Sequence, residues 1–246
     1  MAATRTDPEA LAVALRDALA AAPRIGADEL AGALELVPDA PAAARLVESL
    51  LGRPGELSDV AARSYAHVNG FDKLVLLSSA EPEFELRLHL WWPERGPEDR
   101  WGGAFRTHDH RWDYASALLC GSFRFRWYEV SPAGEGRPVH EYEYRSPGRG
   151  SHCAMRRRGS ARARCVFDAR LGAGNRYSLS RWIQHQVSCE PGELGASLVL
   201  RGPARRDATR VYTDAPVPGP ERIPVERLDA AQLEAKLRGL LARLRS

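Results

Sequence analysis

Residues 106–121 read RTHDHRWDYASALLCG. His108 and His110 form an HxH pair. On a strand, residues i and i+2 point to the same face, so both imidazoles are expected to enter one cavity. Two imidazoles on one face make half a site for iron, copper, nickel or zinc. From Tyr114 to Val130 the chain reads as a strand pair, or one long bent strand, interrupted at Gly121. His185, at the end of a later short strand, is the candidate for a third imidazole from the opposite wall. Three such ligands would leave positions open on a metal for substrate or oxygen.

Working outward, residues 71–77 (FDKLVLL) read as a strand. Residues 84–92 (FELRLHLWW) alternate strictly, with Phe84, Leu86, Leu88 and Leu90 on one face and Glu85, Arg87, His89 and Trp91 on the other. A loop is expected from Pro93 to Asp99. Short strands follow at 139–145, 163–170, 175–183, 185–189 and 195–202, separated by Gly and Pro. Many short strands at such spacing predict a sandwich or barrel. The first fifty residues read as helices. Asp7 caps the first, with Pro8 as its first helical residue. A second is expected over about 28–36 and a third from near Pro41 to Gly52. A last helix spans about 229–244, with Leu233, Leu237, Leu240 and Leu241 on one face. The expected layout is a helical region over residues 1–60, a barrel over 61–212, and a Pro-rich segment with a C-terminal helix over 213–246.

The chain has 246 residues, 44% of them hydrophobic and 27% charged, as in an ordinary soluble domain. No apolar run approaches the roughly 20 residues of a membrane helix. The first residues lack the unbroken apolar core of a secretory leader, so a cytoplasmic protein is expected. Four cysteines without CxxC spacing argue against a zinc ribbon. They are expected to pack as small apolar groups, Cys120 nearest the cavity. A net charge of +3 is too small to point to nucleic acid. The basic run Arg156–Arg158 carries no interleaved aromatics and reads as a solvated loop or hairpin.

The motif spacing resembles the cupin superfamily, whose first motif runs HxH, a short spacer, Glu, six residues, Gly. Gly121 stands in place, Tyr114 occupies the Glu slot, and Asp113 lies one residue earlier. Residues 172–187 (GAGNRYSLSRWIQHQV) are similar to the second motif, with Gly172 and Gly174 for the turn and His185 as ligand. The resemblance implies a mainly β fold, a cupin-type double-stranded β-helix (jelly-roll) barrel with an N-terminal helical cap and a C-terminal helix. Within cupins the pattern looks most like the thiol dioxygenases, such as cysteine dioxygenase. They share helices before the barrel, HDH as first motif, no motif glutamate, and three His on ferrous iron. The chain departs from their Ser-x-His-x-Tyr run, which here is Ser197-Leu198-Val199-Leu200-Arg201. It departs also from their Tyr-x-Arg, which here is Tyr65-Ala66-His67.

The resemblance therefore implies a site of His108, His110 and His185 holding Fe(II), with Zn, Ni or Cu as alternatives. It implies a non-haem iron oxygenase acting with O2 on a small anionic substrate, amino-acid-like or a thiol. The alternative is a non-catalytic or zinc-binding cupin that serves as a small-ligand module. Tyr177 and Arg201 are the candidate catalytic residues. Candidate substrate-binding residues are His67, Lys73, Arg87, His89 and Arg181, the arginines because a guanidinium grips a carboxylate or phosphate bidentately. Arg87 and His89 serve only if their face looks into the barrel; the other reading puts that face in solvent. Asp113 is open between a fourth ligand, a partner of a ligating imidazole, and a cap. The expected partners are the substrate and O2, with no nucleic acid or membrane, and a homodimer through sheet edges fits the fold.

Overall fold

The computed structural model describes residues 7–37, 39–67, 69–94, 106–146, 150–217 and 222–245. Helix α1 (Pro8–Ala20) starts as the sequence predicts, with the Asp7 carboxylate accepting from the backbone N–H of Glu9 and Ala10 at 3.0 Å each. Helix α2 (Ala27–Leu34) ends earlier than expected, and its Glu29 carboxylate accepts the Gly26 N–H at 2.9 Å. In α3 (Ala40–Leu51) Asp39 is the cap. A fourth helix, α4 (Pro54–Arg63), was not foreseen. Pro54-Gly55 reads as a turn, yet proline in the first turn is pre-set for helix. The last helix is α5 (Ala230–Arg245).

Thirteen strands follow α4 among the described residues. They are β1 (Tyr65–His67), β2 (Phe71–Ala80), β3 (Glu83–Trp91), β4 (Arg106–His108), β5 (Tyr114–Cys120) and β6 (Ser122–Ser131). Then come β7 (Arg137–Arg145), β8 (His152–Gly172), β9 (Arg176–Leu179), β10 (Gln184–Cys189), β11 (Gly195–Arg201), β12 (Thr209–Thr213) and β13 (Arg222–Pro224). The expected loop beyond Pro93 runs into residues 95–105, which lie outside the described residues. Of the two readings for Arg156–Arg158 the hairpin holds: they lie inside the 21-residue β8, antiparallel to the preceding β7. Their side chains are exposed on that strand, and Arg158 pairs with Glu143 of β7. Successive arginines hid a strand whose partners, β6 and β7, are already in register with it.

The strands form two antiparallel sheets. One runs β1-β2-β3-β11-β5-β9. The other runs β13-β8-β6-β10-β4-β12-β7, and β7 pairs again with β8, so its ladder returns to where it began. This is a mainly β, jelly-roll architecture with helices before and after it. Gly121 turns the chain from β5 to β6 at φ +84°; a Cβ there would lie 2.8 Å from the Gly195 Cα and the Leu194 carbonyl oxygen. Only glycine fits that approach and that φ.

Which face of β3 looks inward is settled by the helices. Leu86, Leu88 and Leu90 are fully buried, in one core with Leu11, Leu15, Leu46, Leu50, Leu233 and Leu237. Each such leucine contributes about 2 kcal/mol by leaving water. The helical layer thus covers the leucine face of the first sheet. The other face, with Glu85, Arg87, His89 and Trp91, is left to the barrel interior. Among the described residues no helix is long and apolar enough to cross a membrane.

Candidate metal centre

His108 is the last residue of β4, and it pairs in register with His185 of β10. The strand ends there, yet the alternation carries on: His108 and His110 both line one cavity, while Asp109 between them faces the other way. Asp109 is held from behind. Asp109, only 2% exposed, accepts from the Arg210 N–H at 2.7 Å and from Gln184 Nε2 at 3.1 Å, and its carboxylate pairs with Arg206 at 2.8 Å. The His110 N–H donates to the Arg181 carbonyl at 3.1 Å, and Arg206 donates to the His110 carbonyl. The Trp112 ring stacks on His110, centroids 5.8 Å apart.

This brings three imidazoles together. Ring centroids are 4.9 Å apart for His108–His110, 4.8 Å for His108–His185 and 5.0 Å for His110–His185. One nitrogen from each lies within 4.8 Å of the others. His185 Nδ1 is 3.0 Å from the Ile183 carbonyl oxygen. A carbonyl only accepts, so Nδ1 carries the proton and Nε2 presents a lone pair. The Tyr114 hydroxyl donates to that Nε2 at 2.9 Å. Burial pushes His185 down to about 4, and burial with the neighbouring imidazoles drives His108 and His110 well below their ordinary value. All three are therefore neutral at pH 7. Neutral, converging nitrogen donors on a cavity wall fit a divalent transition ion such as Fe(II), Zn, Ni or Cu.

The trio lines a cavity of about 490 Å³. Arg87, His89 and Tyr177 line it too, with Phe71, Trp91, Trp112, Tyr114 and Ser197. Arg87 is 5% exposed; its Nε donates to Glu85 at 2.7 Å and its guanidinium lies 4.5 Å from the Trp112 ring centroid. Although burial opposes it, Arg87 and Arg201 hold the Glu85 carboxyl far below the usual range. His89 is driven well below its ordinary value by burial and by Arg87, and its buried Nε2 has no hydrogen-bond partner among the described residues.

The other candidates do not line the cavity. Arg201 spends its guanidinium on Glu83 and Glu85, the latter at 2.6 Å. Arg181 pairs with Asp113 at 3.2 Å and lies over Trp182. Asp113 also accepts the Arg181 N–H at 2.7 Å, so its carboxylate is spent on Arg181 and the fourth-ligand reading lapses. Lys73 donates to the Tyr65 hydroxyl at 2.9 Å, and burial with Arg87 nearby lowers it well below its ordinary value. His67 stacks on Phe71, centroids 4.6 Å apart, and its Nδ1 accepts the Asn69 N–H at 3.2 Å. Cys189, not Cys120, is the cavity cysteine. Asp109, Trp112 and Tyr114 went unassigned in sequence. The signal was there, since all three flank the HxH pair, but their work depends on contacts distant in the chain.

No family model and no curated protein matches the sequence. Among solved structures, the chain is similar to hydroxypropylphosphonic acid epoxidase from S. wedmorenis, at 14% identity, covering 81% of this chain and 100% of that one, TM-score 0.35. It is similar to Drosophila melanogaster CENP-C bound to CAL1, at 10% identity over 65% and 96% of the two chains, TM-score 0.34. It is similar also to a cupin-like protein from Thermotoga maritima, at 13% identity over 69% and 87%, TM-score 0.22. At such scores the fold rests on the strand order and register above.

Proposed function

We propose that the chain is a metal-dependent cupin enzyme, a non-haem iron oxygenase acting on a small anionic substrate. The observation that carries this reading is the convergence of His108, His110 and His185 on one cavity, His185 buried and the other two half-buried. His108, His110 and His185 would hold ferrous iron, which would supply oxygen activation. The chain's own residues do the rest. Arg87 binds the anionic group, held in place by Glu85 and by Trp112 beneath it. His89, neutral, offers a hydrogen-bonding nitrogen to a polar group of the substrate. Phe71, Trp91 and Trp112 exclude water from the reacting end.

The thiol dioxygenase likeness stops at the metal ligands. Where those enzymes place a His and a Tyr, this chain has Val199 and an Arg201 tied to two glutamates. A thiol amino acid is therefore only one of the acids to be tried. The same missing residues favour the second reading, a non-catalytic or zinc-binding cupin that holds a small ligand. Metal content after anaerobic and aerobic purification, with oxygen uptake on adding small carboxylic acids and thiols, separates the two. Stoichiometric iron with substrate-dependent uptake is expected. Zinc-filled protein that consumes no oxygen after iron exchange would establish the binding module instead.

A further inference from the structure

We propose that Tyr114 is a fourth protein donor, supplying its phenolic oxygen to the ion held by His108, His110 and His185. This rests on the three-histidine reading of the site. The Tyr114 oxygen lies 2.9 Å from His185 Nε2, the nitrogen whose lone pair faces the trio. Its ring sits edge-on to His110, centroids 4.8 Å apart, and it lines the same cavity. So the hydroxyl already points at the place where the three imidazoles converge.

An ion on His185 Nε2 takes the lone pair that the Tyr114 hydroxyl now uses. The hydroxyl must then turn to the neighbouring Tyr177 hydroxyl, swing away, or turn its oxygen to the ion, where Tyr177 can still donate to that oxygen. Swinging away is blocked. Tyr114 is 4% exposed and packed with Trp112, Phe125, Leu179 and Val199, with Tyr177 against its edge at 6.1 Å. Leaving a buried hydroxyl without a partner costs about 1–3 kcal/mol. Coordination removes that cost. The O–H bond breaks, its electron pair stays on oxygen and is donated to the ion, and the proton passes to the buffer. No oxidation state changes.

The test uses the full chain, stripped with a chelator and loaded with ferric iron. A visible phenolate-to-iron charge-transfer band is expected in wild type and in Tyr177→Phe, and is expected to vanish in Tyr114→Phe. Resonance Raman excited in that band should show tyrosinate ring modes in wild type, a readout that needs no variant. Cobalt(II) affinity, read by competition with a coloured chelator, should fall about tenfold or more in Tyr114→Phe. Iron-loaded wild type without the band, or a band surviving in Tyr114→Phe, overturns the proposal while the three-histidine reading stands. Wild type that takes up no metal overturns that reading, and this one with it.

Discussion

His108 and His185 are register partners across β4 and β10, their ring centroids 4.8 Å apart. Two ligand candidates from distant parts of the chain thus sit on neighbouring strands, and each depends on the other's backbone.

Replacing either by alanine removes one of three donors and opens a hole beside the others. His108→Ala and His185→Ala should each lose metal affinity by more than about a hundredfold, read by equilibrium dialysis against zinc or cobalt(II). A variant that binds as wild type does would drop that histidine from the site.

Asp109 anchors the segment between His108 and His110 through Arg206, Arg210 and Gln184. Asp109→Ala leaves Arg206 without its buried carboxylate, which should cost about 3 kcal/mol of unfolding free energy. Metal affinity should fall by about ten- to a hundredfold although no ligand is changed. Denaturant melts and cobalt titration check the two effects separately; affinity unchanged in a destabilised variant would mean that Asp109 matters only for folding.

Arg87 lies in the cavity wall, whereas Arg201 is locked on Glu83 and Glu85. Arg87→Met should weaken binding of an anionic substrate or inhibitor by about ten- to a hundredfold, the worth of a charged hydrogen bond. Metal content should be unchanged. Calorimetric titration of metal-loaded protein with a panel of small carboxylates reads this, and equal affinity for both proteins would remove Arg87 from the substrate site.

The metal-free protein should lose stability as pH falls. His185 titrates at about 4 and His67 at about 3, chiefly because burial disfavours the imidazolium. In the unfolded chain both titrate near about 6.5. Below that pH the unfolded chain takes up protons that the folded one refuses, so stability drops from pH 6.5 downward. The His185 contribution levels off near pH 4 and that of His67 near pH 3. Melting temperatures of chelated protein across this window provide the check; replacing His67 by glutamine should make the fall shallower between pH 6.5 and 3 without abolishing it, since the other buried imidazoles remain.

Gly121→Ala places a methyl against Gly195 and the Leu194 carbonyl in a left-handed turn. About 3 kcal/mol of lost stability is expected from strain and crowding together, measurable by urea unfolding. Wild-type stability would mean that the β5–β6 turn can relax.

Some of this was decided by residue order alone. The HxH pair, Gly121 at its distance, Asp7 and Pro8 opening α1, and the alternation through β3 are local facts. Local sterics and side-chain periodicity act within a few residues, so they can be read from the chain directly. Other features belong to the tertiary structure. Alternation along β3 says that Leu86, Leu88 and Leu90 share a face, but not that five helices cover it and turn Arg87 and His89 inward. Both faces of that strand are buried, so hydrophobic pattern cannot choose between them. Arg181 and Arg201 looked equal to Arg87 in sequence, until Asp113, Glu83 and Glu85 arrived from elsewhere to neutralise them. Asp109, between the two cavity histidines, is held by Arg206, Arg210 and Gln184, all distant in the chain. Charge pairing and the closing of a site join residues far apart in the chain, and that is why folding had to settle them.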